Sequence, residues 1–344
     1  MRIGIVNDLR MAVEALRRVV ASQPEHEVAW VAFDGAEAAE RCRADTPDVV
    51  LMDLIMPNVD GVEATRRIMR DSPCAILVVT ASVEQNSSLV FDAMGQGALD
   101  AVNTPVLKRS DVHGSNELLA KLATIGKLLN RSVAPRPLVL SAVPEASTAV
   151  PLIAIGASTG GPLALVTLLR ALPPDLVATT VIIQHVDVQF AAGLAEWLEH
   201  ESGRQVRLAT AATAVGGSDI FLAGTNDHLV LRPDGSLVYR AEPVDYPYRP
   251  SVDVFFHSVV AHWTGPAVGV LLTGMGRDGA EGLLAMRRAG WPTIAQDRES
   301  SVVYGMPKAA ADIGAAAEVL SIDAIAPALV SALKSKHRSR RHSA

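Results

Sequence analysis

Cysteine is scarce in this 344-residue chain: only Cys42 and Cys74 are present, with no CxxC pair. Neither a disulfide framework nor a zinc site is expected, and both thiols are read as reduced. No apolar run reaches the length of a membrane span, and MRIGIVNDLR passes straight into a strand-like pattern instead of a basic segment followed by a long apolar stretch. The expectation is a cytoplasmic protein with no membrane insertion. Positive charge is also short, since the formal net charge is -6. That leaves no whole-chain basic field and argues against nucleic acid as a partner. No internal repeat stands out.

Apolar material, in contrast, is plentiful. Hydrophobic residues make up 49% of the chain and charged residues 20%, enough for packed cores without wholesale disorder. The length suits two domains. From residue 1 to 125, short apolar runs (Ile3 to Val6, Val28 to Phe33, Val49 to Met52, Ile76 to Thr80, Ala98 to Val102) alternate with helix-like stretches such as AVEALRRVVA. Runs like VVLM and AILVV lack alternation, as strands buried on both faces of a parallel sheet do. A doubly wound, flavodoxin-like α/β domain is expected. Residues 126–150, rich in Pro, Ala and Ser, are read as a linker. A second parallel-sheet α/β domain is expected over residues 151–335, beginning with LIAIGAS and continuing through TTVIIQHV and AVGVLLTGMG, with a basic disordered tail at 336–344.

In open parallel sheets, working residues gather at the carboxyl ends of the strands. In the first domain those ends carry Asn7 and Asp8, then Asp53, then Thr80, then Thr104. Two carboxylates facing each other suit Mg²⁺ through oxygen ligands, and Asp53 is placed to attack a phosphoryl group. An Asp after a strand is more often a helix cap or turn residue, so Asp53 alone would not carry that reading.

In the second domain LIAIGASTGGP sets Ser158 between small residues, after an apolar strand and before the helix-like PLALVTLLRAL. Glycines permit a sharp turn, and a helix N-terminus favours developing negative charge. The alternatives are a capping serine or a phosphate loop. His185 ends the strand TTVIIQ and Asp278 lies in GMGRDGAEG, so base and orienting acid occupy equivalent strand-end positions, with His228 a weaker rival. The order Ser, His, Asp differs from that of α/β-hydrolases.

MDLIMPNVDGVEATRRI resembles the phosphoacceptor segment of two-component receiver domains. The resemblance implies phosphorylation at Asp53, a magnesium ligand at Asp8 beside Asp53, and a responsive hydroxyl at Thr80. Three positions depart from the receiver pattern: Asn7 replaces an acid, Thr104 a lysine and Ala101 an aromatic switch residue, while Lys108 comes four residues after Thr104. GASTGGP, IIQH, RPSVD, LLTGMGRDGA and AQDRESSVVYGMP together resemble the catalytic domain of the chemotaxis methylesterase CheB family, closest to its Wsp-type branch in surface-sensing pathways. That resemblance implies Ser158 as nucleophile, His185 as general base, Asp278 as its orienting acid and the Met275 amide as oxyanion donor. It further implies hydrolysis of glutamate methyl esters and deamidation of glutamines on the cytoplasmic helices of methyl-accepting chemoreceptors. A CheA-type histidine kinase would be the phosphodonor, Mg²⁺ would serve receiver phosphorylation, and hydrolysis would need no cofactor. The competing reading is a catalytically silent receptor-binding scaffold.

Overall fold

The computed structural model describes residues 1–83, 85–107, 112–113, 115–130, 150–211, 213–244, 246 and 248–341. The Pro/Ala/Ser-rich segment over 131–149 and Lys108 lie outside them. Internal contacts divide the chain into two compact units between residues 132 and 133.

The first unit runs β1 (Arg2–Val6), α1 (Arg10–Ala21), β2 (Glu27–Ala32), α2 (Gly35–Ala44), β3 (Val49–Met52), α3 (Gly61–Asp71), β4 (Ala75–Thr80), α4 (Ser87–Gly95) and β5 (Asp100–Asn103). A short antiparallel pair, β6 (Val106–Leu107) with β7 (Val112–His113), precedes α5 (Ser115–Asn130). The five main strands form one parallel sheet in the order β2-β1-β3-β4-β5. β3 and β4 are buried along their whole length, which accounts for their unbroken apolar runs. Helix starts are written locally: Asp34 and Asp60 accept the amides of Glu37 and Glu63 and cap α2 and α3. Residues 126–130, expected in the linker, instead continue α5. Leu118, Leu122 and Ile125 of that helix are buried in the core with Ile3, Leu51 and Leu77, so its apolar face is anchored to the sheet.

The second unit comprises β8 (Leu152–Ala157), α6 (Gly161–Ala171), β9 (Thr179–Gln184), α7 (Val188–Ser202), β10 (Val206–Leu208), β11 (Thr213–Ala214), β12 (Ile220–Leu222), β13 (His228–Leu231) and β14 (Ser236–Arg240). It continues with α8 (Val252–His262), β15 (Ala267–Leu271), α9 (Ala280–Arg288), β16 (Thr293–Gln296), α10 (Met306–Asp312), β17 (Glu318–Leu320) and α11 (Ile322–Arg341). Seven strands form a parallel sheet in the order β10-β12-β9-β8-β15-β16-β17, and β11, β14 and β13 form a small antiparallel sheet. β8, the first strand, is central: its successor β9 lies on one side and β15 on the other, so chain direction across the sheet reverses at β8. A crevice opens beyond the strand ends at such a reversal. Val252, Phe255, Phe256 and Val259 of α8 are buried with Leu271, Leu283 and Met286, fixing α8 beside that edge. The basic segment after 335, expected to be disordered, is helical to Arg341. Lys and Arg are good helix formers, they suit a helix C-terminus, and extending an existing helix costs no new nucleus. Among the described residues no helix is long and apolar enough to cross a membrane.

Candidate active site and phosphoacceptor pocket

β8 and β9 pair in parallel register with Ala157 opposite Gln184, so Ser158 and His185 are the next residues on adjoining strands. The His185 amide donates to the Ala157 carbonyl (3.1 Å), and the Ser158 amide to the Thr273 carbonyl beyond β15 (3.0 Å). Gln184 ties the pair together: its Nε2 donates to the carbonyls of Ser158 (2.9 Å) and His185 (3.2 Å). Gly160 caps α6 at φ +77°, a conformation that L side chains rarely adopt. This turn follows Ser158 at once and starts a helix whose N-terminus faces the crevice. The Ser158 hydroxyl has no hydrogen-bond partner among the described residues.

Asp278 reaches the site from the loop between β15 and α9. Its Oδ2 accepts from His185 Nε2 (2.8 Å) and the Val252 amide (2.7 Å); its Oδ1 accepts from the Ser251 hydroxyl (2.8 Å) and the Asp253 amide (3.1 Å). The carboxylate therefore sits on the N-terminus of α8, where amides and dipole favour an anion. Burial pushes the Asp278 carboxyl up, but the hydrogen bond and charge of His185, with the Val252 and Ser251 bonds, outweigh it and hold the group below the usual carboxylate range. Asp253 moves the other way, raised well above its ordinary value by desolvation and by the negative Asp278. The two carboxyls are thus pushed in opposite directions.

With Nε2–H given to Asp278, Nδ1 of His185 is the basic nitrogen; it is buried and has no hydrogen-bond partner among the described residues. Tyr248 stacks flat on the imidazole, with ring centroids 3.8 Å apart and planes 10° apart. His228, the rival base, is fully occupied: its Nδ1 accepts from the Ser251 amide (3.1 Å) and its Nε2 donates to the Pro243 carbonyl (3.0 Å). Burial lowers its pKa below the ordinary histidine value.

The Met275 loop lies against the serine, since a Cβ on Gly274 would come within 2.8 Å of the Ser158 Cβ. The Gly274 carbonyl is held by the amides of Gly305 and Met306 (3.1 and 2.9 Å), whereas the Met275 amide has no hydrogen-bond partner among the described residues. Ser251, Asp253 and Tyr248 escaped sequence reasoning. The RPSVD motif did point at the first two, but their contacts depend on how α8 meets a loop far along the chain.

In the first unit, Asp53 follows β3 and Asn7 follows β1, on neighbouring strands. Asn7 Nδ2 donates to Asp53 Oδ2 (3.0 Å) while its Oδ1 accepts the Leu9 amide (2.8 Å). The Leu54 amide donates to Asp53 Oδ1 (2.7 Å). Desolvation chiefly, with some help from the Asp8 charge, raises the Asp53 carboxyl to about 6. Thr80 is buried and its hydroxyl accepts from Asn86 Nδ2 (2.9 Å). The Thr104 amide donates to the Thr80 carbonyl (2.8 Å), and Ala101 is buried inside β5. Two carboxylates close enough to repel fit a dication that keeps most of its water. Among the described residues no three His, Cys, Asp or Glu side chains gather as a metal cage.

The CheB methylesterase family model matches residues 153–329 and the response regulator receiver domain model residues 3–113. The chain is 57% identical over 343 residues to a protein-glutamate methylesterase/protein-glutamine glutaminase of Burkholderia thailandensis, covering 99% of this chain and 100% of that one. A similarly named protein of Pseudomonas aeruginosa is 57% identical over 331 residues, covering 96% and 98%. The crystal structure of the Thermotoga maritima CheB methylesterase catalytic domain aligns with a TM-score of 0.51 at 30% identity, over 54% of this chain and 99% of that one. With both halves matched in order and relatives alike over almost their whole length, the chain belongs to the CheB methylesterase family, with a response regulator receiver domain at its N-terminus.

Proposed function

We propose that this chain hydrolyses glutamate methyl esters, and deamidates glutamines, on the cytoplasmic helices of methyl-accepting chemoreceptors, under control of phosphorylation at Asp53 by a CheA-type histidine kinase. The Ser158 hydroxyl attacks the ester carbonyl while His185 Nδ1 takes its proton. Asp278 fixes the tautomer that leaves Nδ1 basic, and the Met275 amide receives the developing oxyanion. The same proton then leaves with methanol, or with ammonia from a glutamine, and a water activated by Nδ1 releases the glutamate. The observation that carries this reading is the His185–Asp278 hydrogen bond beside Ser158 on adjacent strand ends. Methanol release from a methylated receptor cytoplasmic fragment, compared between the chain and Ser158→Ala, tests it; equal rates would reject it.

In the receiver, Asp53 is the phosphoacceptor and Thr80 the hydroxyl that responds. Asp8 and Asp53 would hold Mg²⁺, which when bound offsets the negative charge of the incoming phosphoryl group. The domain limits proposed are a receiver to about residue 130, a linker to 150 and a methylesterase domain beyond it. The setting proposed is the cytoplasm, and the Asn7 and Thr104 departures accord with the Wsp-type branch.

A further inference from the structure

Asp278 is held by four donors, and three come from one place: the Ser251 hydroxyl and the Val252 and Asp253 amides at the start of α8. The two amides are fixed by helix geometry and survive any substitution that preserves the helix. The hydroxyl is the one side-chain donor among these three. It is buried, and its own amide donates to Nδ1 of His228, whose other nitrogen is anchored on the Pro243 carbonyl. β13, the segment after β14 and the start of α8 thus converge on a single serine that points at the orienting acid.

We propose that Ser251 is a positioning residue of the hydrolytic site, setting through Asp278 how strongly His185 holds its proton. A hydroxyl bonded to Oδ1 withdraws charge from the carboxylate and leaves less of it for the imidazolium at Oδ2. Removing the hydroxyl returns that charge to Oδ2 and strengthens its hold on the imidazolium. The proposal rests on the hydrolase reading above. Other titratable groups surround the pair: Asp253 and His257 from α8, His228 from β13, and Tyr246 and Tyr248 from the segment before α8, all sensing the Asp278 charge. Substituting Ser251 removes none of these groups, and its amide bond to His228 Nδ1 is kept.

Ser251 also caps α8, accepting the Val254 amide (3.3 Å), and a purely structural role must be told apart. Glycine is a tolerable cap without a hydroxyl, alanine a poor cap without one, and threonine keeps both functions. The experiment is the pH dependence of kcat/KM for methanol release by the full chain and by Ser251→Gly, Ser251→Ala and Ser251→Thr, with thermal melts of each and Ser158→Ala as the blank. The expected result is an acidic limb moved to higher pH by roughly half a unit or more in both Gly and Ala variants, whatever their melting temperatures, and restored in Ser251→Thr. An unmoved limb in the glycine and alanine variants, or activity that follows melting temperature alone, overturns the proposal. A wild-type chain no faster than the Ser158→Ala blank would instead reject the hydrolase reading itself.

Discussion

Replacing Asp278 by asparagine removes one negative charge and little else, and its cost can be worked from the contacts. The amide oxygen of the variant can take the Oδ2 position, keeping the bonds from His185 Nε2 and the Val252 amide, while its NH₂ turns to the Ser251 hydroxyl, which can accept. Only the Asp253 amide, at 3.1 Å, then meets a donor. The correct His185 tautomer is thereby retained, and the main loss is the attraction between Asp278 and the imidazolium formed in the transition state. With charge centres about 4 Å apart and an effective dielectric near 20, that attraction is about 4 kcal/mol, or about a thousandfold in kcat. The assay is methanol release from a methylated receptor fragment at neutral pH, with a melting curve to confirm folding. A variant within tenfold of wild type would refute the placement of positive charge on His185. A fall to the level of Ser158→Ala would show that the tautomer was lost as well.

Ser158→Ala should abolish hydrolysis by several orders of magnitude with an unchanged melting transition, because its hydroxyl bonds to nothing among the described residues. Asn7→Asp should take up phosphoryl groups at lower Mg²⁺ and show a larger rise in melting temperature on Mg²⁺ addition; identical titrations would remove Asn7 from the account. Thr104→Lys should increase the esterase stimulation that follows phosphorylation, read as the ratio of rates with and without a phosphodonor. Because the Asp53 pKa is raised to about 6, its protonated, non-nucleophilic form gains as pH falls through that value. Phosphoryl uptake in Mg²⁺-poor buffer should therefore decline from pH 7 to 5, and a flat profile would contradict the burial argument.

The strands buried on both faces were the most legible part of the fold. β3 is apolar at every position, and nothing but a doubly covered parallel strand explains VVLM between helical stretches. The strand-end rule pointed to Ser158, His185 and Asp278 as candidates without coordinates, because register in a parallel sheet makes neighbouring strand ends coincide; the structure sets the first two at adjoining strand ends and bonds His185 to Asp278. What stayed hidden depends on long-range geometry. The choice of Nε2 for Asp278 follows from ring orientation under Tyr248, and the role of Ser251 follows from α8 abutting a loop after β15. Strands as short as β11, two residues long, have too little pattern to be read at all. The helical end of α11 was missed for another reason: a run of basic residues carries no apolar stripe, and only continuation from the helix before it makes it helical.

The three residues proposed for the hydrolytic site are unequal in what the fold asks of them. Asp278 binds the first amides of α8 as well as His185, so a lineage that abandoned hydrolysis would still be selected to keep it for folding. His185 lies packed beneath Tyr248 and would be expensive to trade away. The Ser158 hydroxyl has no hydrogen-bond partner among the described residues, and drift to alanine there would go unpunished once chemistry ceased to matter. Among descendants of this chain, the letter at that one position separates working hydrolases from retired ones, while the acid and the histidine would outlast the activity as relics.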